Sequence, residues 1–264
     1  MIQYTVLLSI LFFSLVSYSQ EEIITLYNSE RKVTKDASKA KLYQRLTKEK
    51  DSLWLYRMYR RNNQLASYWY SKTRYSKNKI GKKVSYDLND SISIILNYNN
   101  KGEKHGKFSA WFDNRNKSDE GRYLSGKKEG LWRSYFYGGE IAAKSFFKND
   151  SLITEKFYDQ NGNEKQLKEK CCEKKPQFKG GLKKYKKIAQ KFLDRKKYKI
   201  KGTVTVDYTI SVTGDLTNVR IYDILPDNID DKIITFFKQI KGWNPACNKG
   251  RAVPIQHSFK LIFN

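Results

Sequence analysis

The chain has 264 residues, with 52 Lys and Arg against 27 Asp and Glu, which gives a net charge of +25 at pH 7. Hydrophobic residues make up 39% and aromatics 14%, which excludes wholesale disorder even though 30% of residues are charged. The length suits two domains that each bury a core, and the charge raises nucleic acid, acidic lipid or acidic glycan as a partner.

Residues Tyr4 to Val16 contain the apolar run VLLSILFFSLV, followed by Ser17, Tyr18, Ser19 and Gln20. That run is short for a membrane span of ~20 residues and has the length of a signal-peptide core. Residues 1–20 are therefore expected to direct export and to be cleaved near Ser19 or Gln20, although no Lys or Arg precedes the run; an uncleaved anchor is the alternative. No cysteine follows it closely, so an N-terminal lipid anchor is not expected. The mature chain is expected to be soluble in the periplasm or cell envelope, an address that weakens the nucleic-acid reading.

The polar stretch from Glu21 to Lys50 reads as a leading strand or a short helix. From Leu53, short aromatic-rich strands recur. Gly106 to Phe112 (GKFSAWF) matches Gly130 to Phe136 (GLWRSYF), with looser copies at Ser151 to Tyr158, Gly81 to Tyr86 and Ser52 to Tyr56. The glycine offsets, Gly81 to Gly106 and Gly106 to Gly130, are 25 and 24 residues, an internal repeat. Within each copy aromatics alternate with polar residues, so Trp132, Ser134 and Phe136 share one face. One hairpin cannot bury such a face alone, so the copies are expected to stack as a β-sheet array with Gly and Asn turns at its margins. The aromatics are read as core packing, with a stacking platform for sugars or bases as the alternative.

Gly126 to Trp132 (GKKEGLW) and Lys104 to Phe108 (KHGKF) resemble the MORN-type repeats of the YwqK-like antitoxins. The similarity covers roughly Leu53 to Asn163, and the family name implies a toxin-antitoxin role that export argues against. Residues 21–163 are thus read as a repeat region and 164–175 as a polar linker.

Residues 176–264 read as an α+β domain in the order helix, strand, strand, helix, strand. Leu182, Tyr185, Ile188, Ala189, Phe192 and Leu193 recur on one helical face. Lys and Arg between Lys179 and Lys199 occupy mostly its polar face, which favours a solvated surface over a polyanion contact. Val204, Val206, Tyr208 and Ile210 alternate with Thr203, Thr205, Asp207 and Thr209. A turn at Val212 to Asp215 leads to Val219 and Ile221, so the two runs are expected to pair as an antiparallel hairpin. Pro226 ends it. Asp227 then caps a second helix, with Asp230 and Asp231 at its positive end and Ile229, Ile233, Phe237 and Ile240 on its buried face. The last strand sets Ile255, His257, Phe259, Leu261 and Phe263 on one side.

Several motifs in this region resemble the TonB C-terminal domain family as it occurs in envelope proteins of Bacteroidetes. They are Pro176-x-Phe178-x-Gly180-Gly181, Gly202-x-Val204-x-Val206, Gly214-x-Leu216-x-x-Val219, Trp243-x-Pro245-Ala246, Gly250-x-x-Val253 and Phe259-x-Leu261-x-Phe263. The resemblance implies that an open strand engages an extended segment of an outer-membrane TonB-dependent receptor by strand addition. Carried onto this chain, that strand is about Gln256 to Phe263, with Gln256, Ser258, Lys260 and Ile262 on the side away from the core. An energy transducer of the family needs a retained membrane helix and a long proline-rich segment, whereas this chain has 4 prolines, none before Pro176. Force transduction is therefore not expected, while receptor or peptide binding is.

No nucleophile, base and orienting group assemble in the sequence, and there is neither a phosphate loop nor a dinucleotide fingerprint. His105 sits in a repeat turn, and His257 has the parity of a partly buried sheet residue. The three cysteines lack the paired spacing of a zinc site. Cys171 and Cys172 are adjacent, so Cys247 is expected to bridge to one of them, written here as Cys172 with Cys247. No enzyme activity, cofactor, metal or nucleic-acid partner is expected. The leading reading is an exported, non-enzymatic envelope protein that binds receptor segments, with peripheral membrane contact open. The alternative is a structural envelope protein that holds acidic glycan or lipid and uses its C-terminal domain to form a homodimer.

Overall fold

The computed structural model describes residues 22–28, 31–37, 40–49, 53–75, 78–166, 174–194, 202–221, 225 and 229–263. The N-terminal apolar segment, Cys171, Cys172, Pro226, Asp227 and the side chains of Phe192 and Leu193 lie outside the described residues.

Residues 22–165 form one antiparallel meander of 12 strands in sequence order. These are β1 (Glu22–Tyr27), β2 (Leu42–Lys48), β3 (Trp54–Arg60), β4 (Leu65–Ser71), β5 (Lys79–Tyr86), β6 (Ile92–Tyr98), β7 (Gly106–Trp111), β8 (Lys117–Leu124), β9 (Lys127–Tyr135), β10 (Ile141–Lys148), β11 (Ser151–Tyr158) and β12 (Glu164–Lys165). The stretch read as a leading strand or short helix supplies the β1–β2 pair, and the start of the expected linker supplies β12.

Two kinds of turn alternate in the second half of the sheet. On one margin, the carbonyls of Phe112, Phe136 and Asp159 accept the N–H groups of Arg115, Gly139 and Gly162, three residues on. Their own N–H groups donate to Asn116, Glu140 and Asn163, four residues on. Arg115, Gly139 and Gly162 take φ of 71°, 109° and 84°, a left-handed position suited to glycine. On the other margin, Ser125-Gly126 and Asn149-Asp150 make two-residue connections with φ positive at both positions, the geometry that matches strand twist. The first kind begins at residues 112, 136 and 159, steps of 24 and 23, so the sequence period is one hairpin plus its return turn.

The glycines that set the period lie opposite rings across the ladder, Gly81 against Tyr98, Gly106 against Tyr123 and Gly130 against Phe147. The rings pack on one another. Trp132 stacks on Phe108 at 5.3 Å between centroids and meets Tyr123 edge-on at 5.0 Å. It crosses the β8 backbone at Gly121, where a Cβ would collide with the indole. Nearer the start of the sheet, Leu46, Trp54, Tyr56 and Trp69 form a second buried cluster.

The C-terminal unit comprises β13 (Gln177–Phe178), α1 (Gly181–Asp194), β14 (Gly202–Ile210), β15 (Leu216–Ile221), α2 (Ile229–Gln239), β16 (Trp243–Asn244), β17 (Ala246–Asn248), β18 (Arg251–Val253) and β19 (Ile255–Phe263). Its main sheet is antiparallel in the order β15-β14-β19, and the short pairs β13–β16 and β17–β18 are additions that periodicity did not indicate. Val204, Val206, Tyr208 and Ile210 from β14, Ile233 and Phe237 from α2, and Tyr185 and Ala189 from α1 close around one core. The buried Tyr185 hydroxyl donates to that of Tyr208 at 2.9 Å, which satisfies a polar group that the packing would otherwise strand.

Three expected core positions differ. Leu182 is 56% exposed, because it falls in the first turn of α1 before the helix reaches the sheet. Ile255 and His257 share the parity of Leu261 and Phe263 but are exposed at the leading end of β19, where the His257 ring still meets Tyr208 and Trp243 on one side, while α1 reaches the strand further along, through Tyr185 at Phe259 and Gln190 at Ile262.

Candidate functional site: an open strand edge facing a basic cleft

β19 pairs with β14 along its whole length, Gly202 with Phe263 through to Ile210 with Ile255, and lies at the end of its sheet. In an antiparallel ladder alternate residues turn both backbone groups to the same side. The carbonyl of Ile262 faces outward, where Gln190 Nε2 donates to it at 3.1 Å. By the same alternation the N–H and C=O groups of Gln256, Ser258 and Lys260 also face outward. The side chains of these four residues point away from the core and are exposed, as expected from the strand's parity. The Ser258 hydroxyl donates to Asp207 on the neighbouring strand.

The hairpin β17–β18 fixes the C-terminal unit on the long sheet. Arg251, 4% exposed, donates through Nη2 to both carboxylate oxygens of Asp119 at 2.9 Å. Its Nη1 donates to the Ser118 carbonyl at 2.8 Å and to the carbonyl of Tyr135, and the guanidinium lies over the ring of Phe112. The Ser134 hydroxyl donates to the same Asp119 at 2.7 Å. Lys249 donates to Ser145 Oγ and to Glu155 Oε1, both at 2.9 Å. Burial opposes ionisation of Glu155, but the hydrogen bonds from Ser145 and Lys249 outweigh it and hold its carboxyl below the usual range. Asn218 to Asp113 and Arg220 to Asn89 add two longer contacts from β15.

This docking turns the outer face of β14 and β19 toward β3 to β6 and leaves a cleft of about 910 Å³ between them. Gln256, His257, Ser258, Lys260, Thr205 and Asp207 line one wall. Arg60, Trp69, Lys83 and Tyr86 from the sheet line the other, with Arg31 and Lys41 from the β1–β2 connection. Lys83 Nζ lies 5.7 Å from the centre of the Trp69 ring. Burial pushes the Lys83 ammonium below its usual pKa, and the positive charges of Lys79 and Arg31 push it further. The His257 imidazole is also lowered by burial, with Asp207 opposing, so it is neutral at pH 7.

The edge residues taken from parity thus stand together, and Gln256, Ser258 and Lys260 line the cleft, whereas Ile262 does not. The cationic wall was missed. Lys83, Trp69 and Arg60 carry no local signal beyond a basic residue or an aromatic on a strand, and only the pairing of β3, β4 and β5 gathers them. His105 Nδ1 accepts the Ser125 N–H at 3.3 Å, a turn contact. Cys247 is half-buried, and its backbone exchanges two 3.0 Å hydrogen bonds with Lys174. Among the described residues, no group of three or more His, Cys, Asp and Glu is placed to hold a metal, and no helix is long and apolar enough to cross a membrane.

The described residues therefore define a small α+β domain whose three-stranded sheet ends at β19, docked on a long β meander. Its residues 194–264, which run from the end of α1 through β19, match the family of the Gram-negative bacterial TonB protein C-terminal. That match supports the reading of the C-terminal unit as a TonB-type domain and leaves the meander outside it. Among curated proteins, none matches the chain.

Proposed function

We propose that this chain is an exported, non-enzymatic envelope protein whose C-terminal domain takes up an extended peptide along the outer edge of β19, as a TonB-type domain takes a segment of an outer-membrane receptor. The observation that carries this reading is the edge itself. The outward backbone groups of Gln256, Ser258 and Lys260 form a row of donors and acceptors spaced for an added strand, and the family match spans that strand. The meander is read as MORN-type repeats that form a platform, with 164–175 as the linker between two domains. Residues 1–20 are read as a cleaved signal peptide, and intact mass of native material from periplasmic and membrane fractions tests this. A soluble chain that begins near Gln20 supports a periplasmic binder, and an intact Met1 in the inner membrane supports a transducer.

Binding is tested by hydrogen exchange of the mature chain with receptor-derived peptides. Slowed exchange at the amides of Ser258, Lys260 and Ile262 supports strand addition, and unchanged exchange at saturating peptide overturns it. The pairing of Cys172 with Cys247 also belongs to this proposal. The Lys174–Cys247 bridge brings the chain two residues from Cys172 alongside Cys247. Non-reducing peptide mapping of exported protein is expected to find Cys247 linked to this pair of neighbours, and full alkylation of Cys247 without reductant would refute it.

A further inference from the structure

The cleft beside β19 has a charge imbalance that strand addition alone does not use. Arg31, Lys83 and Lys260 bring three cationic side chains to it, beside Lys41 and an Arg60 that already donates to the carbonyls of Leu65 and Tyr86, and Asp207 is the carboxylate among the described lining residues. Lys83 is half-buried against the Trp69 ring, which Lys79 also approaches at 5.6 Å, so like charges are gathered over one aromatic face. Crowding of this kind costs free energy in the empty protein, and an anion relieves it by pairing with groups already in place.

We propose that the extended segment taken up at β19 is an acidic peptide, whose carboxylates on the cleft side are held by Lys83, Arg31 and Lys260. The proposal rests on the strand-addition reading above and names the chemistry of its ligand. Every second side chain of a strand added to β19 shares the face of Gln256, Ser258 and Lys260, which line the cleft. A peptide is favoured over a glycan because the same strand supplies outward backbone N–H and C=O groups, which a polyuronate cannot pair in register. The depressed Lys83 ammonium agrees with this arrangement, since a bound carboxylate restores its charged form.

The test uses the mature full chain and ten-residue peptides that alternate Val with Glu, compared with the same peptides carrying Gln for Glu. The Glu peptide is expected to bind at least about tenfold more tightly at low salt, an advantage that shrinks as salt rises. Lys83→Met and Arg31→Gln are expected to reduce that advantage, whereas the exposed Lys127→Met, a loss of equal charge elsewhere, is not. Near-ultraviolet circular dichroism checks that the variants fold.

Equal binding of the Glu and Gln peptides with β19 amides protected overturns the acidic preference and leaves strand addition standing. No binding and no protection with either peptide overturns both. If Glu-peptide binding survives N-methylation of alternate peptide backbone nitrogens, or if oligogalacturonate or anionic phosphatidylglycerol vesicles compete equally, the cleft is a general polyanion site and the peptide proposal fails.

Discussion

Gly121 is the residue on which the aromatic row depends. It faces Phe108 across the ladder, and the Trp132 indole lies where its Cβ would be, so Gly121→Ala must push the ring off Phe108. Overpacking of this kind costs about 1–3 kcal/mol, and chemical denaturation followed by Trp fluorescence is expected to show a lower midpoint with altered native emission. Glu120 on the opposite face of the sheet reports acid sensitivity. Hydrogen bonds from Lys117 and Tyr135 pull its pKa from 4.5 to about 2, against a smaller opposing effect of burial. A depressed folded-state pKa contributes stability that is present above about 4.5 and lost as pH falls toward about 2. The stability advantage of the native chain over Glu120→Gln is therefore expected to shrink between pH 5 and pH 3 in urea titrations.

At the scale of the element, β19 is divided along its length. Its end, Leu261 and Phe263, is buried in the core, while its leading half from Ile255 to Ser258 is exposed. The first half can therefore change without unfolding the domain. Ser258 turns its N–H outward, and proline is tolerated on an edge strand where the missing N–H faces away from the sheet. Ser258→Pro is expected to leave thermal stability within about 1 kcal/mol of the native chain while abolishing peptide protection of the β19 amides. A large loss of stability would instead place that N–H inside the ladder. The β17–β18 hairpin is the opposite kind of element. It is three residues a side and is held by what its tip side chains reach on another sheet.

For the whole molecule, Arg251 and Lys249 make the two units one body. Removing one partner of a fully buried ion pair costs about 3–5 kcal/mol, and the cost here is smaller because the Asp119 side chain keeps 32% and that of Glu155 21% of its surface in solvent. Arg251→Ala leaves Asp119 with the Ser134 hydroxyl, and Lys249→Ala relieves Glu155 of its cation. The double variant is expected to keep both folded units but to separate them, seen as a larger radius of gyration in small-angle scattering and faster proteolysis between residues 166 and 174. An unchanged radius would show that the contacts of Asn218 and Arg220 hold the units together.

The sequence by itself determined the repeat, the alternation of the strands and the α2 face of Ile229, Ile233 and Phe237, because each is a periodicity along one chain. It also determined which side of β19 faces away from the core, since side-chain parity has period two. It did not reveal that Leu182, Ile255 and His257 are exposed, because how far a helix covers a strand depends on where the two cross. Nor did it reveal the Arg251 clamp or the cleft, because Asp119 and Arg251 are separated by 132 residues and carry no mutual signal in the sequence. Only the tertiary structure placed the cationic side chains of β3 and β5 opposite the open strand, because two sheets from distant parts of the chain had to fold before one could face the other.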